Sequence, residues 1–311
     1  MNILVIGELN PDLILQGYQS FPELGKEVLV NDCLLTMGSA SAICAVGLAR
    51  LGNNVRFFGK VGRDTYGDFC QRLLGREGID TGRILETDAV RTGITVSVTG
   101  PTDRALITYL GAIRALTESD VGDSLFEGVQ HVHMSSFFMQ EGLRPGMRVV
   151  FERASRRGLT TSLDPGFDPS ERWDRDLVDT LEQVDVFFPN EVELQGITGE
   201  PDPVAAVRRL ANGRTLVVGK LGRHGALAID RGELVRVPAF EVTPVDTTGA
   251  GDSFNAGFLH YWLQAKPLED TLRFGAACGA LSTLGRGGTT TQPAQQQAEE
   301  FMNSAKIISE V

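Results

Sequence analysis

What is scarce in this chain narrows it before anything else. Among 311 residues there are four cysteines, Cys33, Cys44, Cys70 and Cys278. They form no C-x-x-C pair, which argues against a disulfide framework or a structural zinc site and fits the reducing cytoplasm. No run approaches ~18 apolar residues, so no membrane span is expected. The opening Met1–Gly7 has no basic start and reads as a buried strand rather than a signal peptide. Lys and Arg do not cluster, and the formal net charge is −11, which argues against nucleic-acid and anionic-membrane partners. Phosphorylated small molecules stay open, because backbone amides and a few local cations suffice for them. There is no Walker A motif: Gly219-Lys220 is followed by Leu221, and Arg214 stands where the first glycine belongs. No G-x-G-x-x-G follows the first apolar run.

What is present is a chain of globular composition, with 42% hydrophobic residues, long enough for a substantial core. Short apolar runs at 3–6, 55–58, 129–134, 160–163, 184–188, 215–218 and 226–229 predict strands. Helical patterns near 39–51, 65–77, 145–157, 173–182 and 203–211 lie between them, and further helices follow at 252–264, 268–284 and 293–306. This alternation predicts an α/β fold with a mostly parallel central sheet covered on both faces. Two segments break the rhythm. Residues 8–36 hold no clear helix, and 88–112 alternate like antiparallel strands around a turn at Pro101-Thr102-Asp103-Arg104. They suggest a small β-sheet flap inserted in a single domain spanning 1–311.

The richest stretch is Asp246-Thr247-Thr248-Gly249-Ala250-Gly251-Asp252-Ser253-Phe254, followed by the helical apolar spacing of Phe258, Tyr261 and Trp262. A glycine-rich turn at a helix start presents free N–H groups and the positive end of the helix dipole, an anion site. Asp252 would be repelled by a bound phosphate unless it had work there, such as taking a proton from an attacking hydroxyl. The same residues would also serve as a strand-to-helix turn with a capping acid. Asn190 and Glu193 have capping-box spacing. Asn10 and Asp12 flank Pro11 as in an Asx turn. His131 and His133 share one strand face, with no third metal ligand apparent.

Together these motifs resemble the ribokinase-like (PfkB) carbohydrate kinases nearly end to end. The match includes Asn10-Pro-Asp12, the helix segment Gly38–Gly52, Phe58–Asp64 with Gly67, Asn190-Glu-Val-Glu193, Lys220-Leu-Gly222-Arg-His-Gly225 and the Asp246–Phe254 signature. The resemblance implies a three-layer sandwich with a small β-sheet lid, and ATP-dependent phosphorylation of a small sugar. It assigns Asp252 as general base and the amides of Gly249, Ala250 and Gly251 as anion hole. Asn10, Asp12, Gly38 and Ser39 would bind the sugar. Asn190, Lys220, Gly222, Gly225 and Gly251 would bind ATP, with residues near 275–287 cradling the base. Asn190 and Glu193 would organise Mg²⁺, partly through water. The loop of Asp246 and Thr248 matches one that holds a monovalent cation, K⁺, in many members. Lids of this family often pair subunits, so a homodimer through the lid is expected.

Two departures stand on the sugar side. Ser39 replaces a glycine, and Ile43 replaces an asparagine that usually contacts sugar, so the pocket floor is expected to gain an apolar side chain. After the strand at 160–163, Asp164-Pro165-Gly166-Phe167-Asp168 lacks the Asn-x-Arg of acid-sugar kinases, and Arg104 at the flap tip is the one nearby cation to consider. A nucleoside kinase and a non-catalytic sugar or nucleotide sensor are the alternative readings.

Overall fold

The computed structural model describes residues 1–18, 20–99 and 104–308. The expected flap turn at 101–103 and the side chain of Arg104 lie outside the described residues. In chain order the strands are β1 (Asn2–Ile6), β2 (Pro11–Gln16), β3 (Asp32–Met37), β4 (Asn54–Phe58), β5 (Lys60–Gly62), β6 (Leu85–Thr87), β7 (Ile94–Thr99), β8 (Arg104–Tyr109), β9 (His131–Met134), β10 (Thr160–Leu163), β11 (Val186–Phe187), β12 (Leu216–Lys220), β13 (Ala226–Asp230) and β14 (Glu233–Val237). The helices are α1 (Ala40–Arg50), α2 (Thr65–Arg76), α3 (Arg144–Ser155), α4 (Asp176–Leu181), α5 (Glu191–Thr198), α6 (Pro203–Arg209), α7 (Ala250–Trp262), α8 (Leu268–Ser282) and α9 (Gln295–Ser304). The seven expected strands of the central sheet are thus found. β11 shrinks to two residues ahead of Pro189, and β14 closes the sheet edge with a hairpin that its mixed polarity concealed.

β1 explains the layering. Ile3, Leu4, Val5 and Ile6 are all buried. Side chains alternate across a strand, so Ile3 and Val5 pack with residues of α1, α2, α7 and α8, while Leu4 and Ile6 pack with residues of α3, α4 and α6. Each such burial contributes about 1.5–3 kcal/mol. A strand apolar on both faces demands cover on both, and the result is helices, sheet, helices.

The large sheet runs β14-β13-β12-β11-β10-β9-β1-β4. Pairings from β4 through β12 are parallel, and β12–β13 and β13–β14 are antiparallel. β4 and β9 flank β1 on opposite sides, so strand order reverses at β1. Ligands bind outside the carboxyl ends of the strands at such a switch point. The second sheet, β3-β2-β7-β8, comes from the two segments that broke the sequence rhythm. Residues 306–308 return to the body: Lys306 O accepts from Glu241 N and Ile308 N donates to Ala239 O, both at 2.8 Å. Among the described residues, no helix is long and apolar enough to cross a membrane.

α1 starts under strain. Ser39 takes φ 68°, ψ 116°, a positive φ that costs a non-glycine residue about 1–3 kcal/mol. Its hydroxyl compensates in part, accepting from Ala42 N at 3.0 Å as the N-cap and donating to Glu8 O at 2.5 Å. Ser39→Ala keeps the strain and loses the cap, so it should cost about 1 kcal/mol. Ser39→Gly relieves one while losing the other and should stay within about 0.5 kcal/mol of the parent. Urea denaturation of the two variants checks this; equal losses would contradict the compensation.

Candidate active site

The anion turn is held by its neighbours. Gly249 lies in the left-handed region at φ 73°, and a Cβ built on it would come within 2.8 Å of Ile43 Cγ2, so glycine is required twice over. Upstream, Asp246 Oδ1 accepts from Thr248 N (2.9 Å) and Thr248 Oγ1 (2.7 Å), while Oδ2 accepts from Gly287 N (2.9 Å). These bonds tie the turn to the 283–288 loop. α7 begins at Ala250, so the N–H groups of Ala250, Gly251 and Asp252 belong to its first turn and lack partners along the helix. The Ala250 N–H makes only a long bond, 3.3 Å, to Thr247 O.

Around this turn the sheet edge collects charge. Asp252 keeps some solvent access, but the protein crowding its carboxyl desolvates it. That burial, then the nearby Asp164 carboxylate, raise its proton affinity well above the usual carboxylate range, against the pull of Lys220. Glu8 and Glu193 add to the rise. Lys220 Nζ sits 2.5 Å from Asp164 Oδ2 and 3.3 Å from where a Cβ on Gly251 would lie. Burial alone would favour the neutral amine, but Asp164 and Glu193 outweigh it and keep the ammonium.

Asn190 and Glu193 form the capping box of α5. Glu193 Oε2 accepts from Asn190 N at 2.7 Å, and Asn190 Oδ1 accepts from Glu193 N at 2.9 Å. Burial, then Asp164, push the Glu193 carboxyl up to about 7. One carboxylate oxygen is thus occupied by the box, and among the described residues no group of three or more His, Cys, Asp or Glu could hold a metal. This donor set fits a Mg²⁺ held mainly by phosphates and water, not a cage of protein ligands. His131 and His133 have both ring nitrogens engaged by hydroxyls. They bond Thr160, Ser162 and Ser135 inside the sheet at 2.7–2.9 Å.

A cavity of about 400 Å³ opens beside the turn, lined by Lys220, Gly222, Gly225, Gly251 and Phe254 among others. Arg223 lines it, and His224 does not. Lys220 N donates to Pro189 O at 2.9 Å, which draws Asn190 alongside. The rest of the lining is mostly apolar: Ala276, Gly279 and Ala280 of α8, with Phe240, Val242 and Ile308.

On the other flank, Asn10, Asp12, Gly38 and Ser39 come together. A Cβ on Gly38 would stand 2.0 Å from Asp12 Oδ1 and 3.0 Å from Asn10 Nδ2, so only glycine lets these side chains lie over the α1 start. Asn10 Nδ2 also donates to Thr95 Oγ1 of the small sheet at 3.4 Å. Ile43 behaves differently from expectation. It is 3% exposed and packs under Gly249 and Gly288, so its apolar side chain supports the anion turn from below and does not form the open pocket floor.

Several site residues carried no recognisable sequence signal. Glu8 is buried and accepts from Ser41 N (3.0 Å), Ser41 Oγ (2.5 Å) and Ser136 Oγ (2.9 Å); burial raises its carboxyl against these bonds. Asp164, Asn255 and the 306–308 wall are the others.

The description pfkB family carbohydrate kinase matches residues 1–295, and the chain belongs to that family. It is a sugar kinase, a phosphotransferase acting on an alcohol group. It is 28% identical to a ribokinase of Haemophilus influenzae, over 97% of this chain and 99% of the relative. It is 33% identical to a fructokinase of Klebsiella pneumoniae, over 82% and 88%. A fructokinase double mutant of Vibrio cholerae O395, solved with fructose, ADP and potassium ion, superposes with a TM-score of 0.80 at 27% identity, over 97% and 98%.

The raised Asp252 carboxyl has a consequence for stability. The folded chain binds that proton more tightly than the unfolded chain, whose carboxyl stays near 3.8. The contribution is therefore complete below that value and is lost as pH rises through the folded value. Asp252→Asn, which cannot ionise, should melt higher than wild type at about pH 8, with the gain shrinking toward about pH 4. Melting curves across that range decide it, and a pH-independent difference would count against the buried charge.

Proposed function

We propose that the chain transfers the γ-phosphoryl group of ATP to the terminal hydroxymethyl group of a fructose-like or ribose-like sugar, acting in the cytoplasm as a single kinase domain over 1–311. The observation that carries this is the placement of Asp252: a carboxyl in the first turn of α7, one residue past the Gly249–Gly251 turn, with the Lys220 ammonium alongside Gly251. A carboxylate at that place is within reach of a hydroxyl brought up to the turn and can take its proton. Asp252 accepts the hydroxyl proton. The hydroxyl oxygen bonds to the γ-phosphorus while the bond to the β–γ bridging oxygen breaks, and ADP leaves with that electron pair. The amides of Gly249, Ala250 and Gly251, with the α7 dipole, hold the charge spread over the equatorial oxygens. Asn10 and Asp12 bind sugar hydroxyls above Gly38 and Ser39. Lys220, Gly222, Gly225 and Asn190 hold the nucleotide phosphates. Mg²⁺ supplies charge neutralisation on those phosphates when bound, and Asn190 and Glu193 would hold its waters. The loop of Asp246 and Thr248 holds K⁺, as supported by the potassium bound in the Vibrio relative.

The small sheet, from segments about 8–36 and 88–112, acts as a lid that excludes water during transfer. Its two faces differ. Asp12, Thr95 and Thr108 share the face turned to the site. On the other face Leu35, Leu13, Val96 and Ile107 stand in one cross-strand row, with Leu35 37% and Ile107 61% exposed. Such a row favours cover by a second copy of the chain.

ADP release against a panel of ketohexoses, pentoses, acid sugars and nucleosides tests the reaction. Turnover is expected with fructose or ribose, and Asp252→Asn should lower kcat at least ~10³-fold while leaving ATP binding nearly intact. Near-wild-type turnover in that variant removes the base from the mechanism, and an unchanged rate without K⁺ removes the cation loop. For the lid, sedimentation should find wild type dimeric and Ile107→Asp monomeric; a monomeric wild type ends the dimer reading.

A further inference from the structure

Asp164 closes β10 at the same carboxyl edge and is nearly fully buried. Its Oδ2 accepts from both Lys220 Nζ (2.5 Å) and Asn255 Nδ2 (2.6 Å), and its Oδ1 accepts from Gly166 N (2.9 Å). Asn255 follows Asp252 by three residues on α7, so the two lie on one helix face. An ammonium has three donors. Among the described residues, the Asp164 bond is the single hydrogen bond of the Lys220 ammonium. The remaining donors of this largely buried cation lie beside Gly251, 3.3 Å from where its Cβ would stand.

We propose that Asp164, with Asn255, is a positioning residue that holds the Lys220 ammonium beside the anion turn in the empty site and passes it to the phosphoryl group during transfer. This rests on the transfer at Gly249–Gly251 proposed above. Three features of the arrangement support it. The ammonium is a compact point charge on a flexible stem, suited to following a moving anion. Negative charge develops on the departing bridging oxygen as its bond to the γ-phosphorus breaks, so the attraction to a nearby cation rises at the step that needs it. When Lys220 leaves, Asp164 keeps its bonds from Asn255 and Gly166, so the carboxylate is not stranded without donors in the interior. A lysine without this anchor would have to be ordered in each catalytic cycle, whereas here it is ordered by folding.

The test is a double-mutant cycle on kcat, with the sugar that wild type turns over and with melting temperatures measured alongside. Lys220→Met should lower kcat about 10²- to 10³-fold, and Asp164→Asn about 10- to 100-fold, with KM for the sugar within about twofold in both. The double variant should be no slower than Lys220→Met alone, since an anchor has no effect once its charge is gone. Should Asp164→Asn not fold, Asn255→Ala removes the companion bond on the same oxygen and should lower kcat about tenfold, sugar KM unchanged. Unchanged kcat in a folded Asp164→Asn, or a double variant whose loss is the product of the single losses, overturns the positioning role. Coupling confined to melting temperature does the same, marking Asp164 as structural. A wild-type enzyme silent on every acceptor overturns the kinase reading and this inference together, whereas an active wild type with an indifferent Asp164 overturns this inference alone.

Discussion

The buried carboxylates of Glu8, Asp164, Glu193 and Asp252 lie within reach of one another's fields, and Lys220 is the cation set among them. Their mutual repulsion in a low-dielectric edge is the constraint from which the rest of the site follows. It is relieved in three ways. Lys220 neutralises Asp164 directly. Backbone and hydroxyl donors from Ser41 and Ser136 saturate Glu8, and Asn190 does the same for one oxygen of Glu193. Among the described residues Asp252 has neither a cation in contact nor donors of this kind; burial raises its proton affinity, as it does for Glu8 and Glu193, and the Asp164 carboxylate adds to the rise.

The same constraint explains how an acidic chain can receive a polyanion. Net charge describes the whole surface, whereas the proposed phosphate side is made of a helix start, glycine amides and one buried lysine. Those elements are fixed by packing. Ile43 presses on Gly249 from beneath, Asp246 ties the turn to Gly287, and Gln292 Nε2 bridges Ile43 O (2.9 Å) and Ser253 Oγ (2.8 Å). The substitution that alters the sugar-side motif, Ile43, has therefore been absorbed into the support of the phosphate side. Ser39 is retained at positive φ because its hydroxyl closes the helix start.

Much of this was legible from residues close in sequence. Alternating apolar runs and amphipathic stretches revealed the layers, since both are local periodicities. The turn at 246–254, the capping box at 190–193 and the Asn10–Asp12 pair are each contiguous, so their local geometry could be read directly. What escaped notice depends on contacts made far along the chain. Glu8 meets Ser136 across 128 positions, Asn255 meets Asp164 across 91, and Lys220 meets Asp164 across 56. No spacing pattern marks such pairs, and a lone buried acid looks like any strand-terminal polar residue. β14 and β5 were missed for another reason, being short and half polar at sheet margins. A family position identifies a neighbourhood, while packing decides which way the branched side chain of Ile43 turns, here against Gly249 and Gly288.

The bonds of Lys306 and Ile308 to Glu241 and Ala239 set an order of events during synthesis. The Asn10–Asp12 pair leaves the ribosome well ahead of the anion turn, which follows after some 240 further residues. The cavity beside that turn gains its last wall only when residue 308 is available to pair. Until then the apolar lining that Phe240, Ala276 and Ala280 contribute is incomplete. A ligand of that cavity would therefore meet its full wall only after residues 239–241 and 306–308 have paired, and would brace a core already formed rather than gather it.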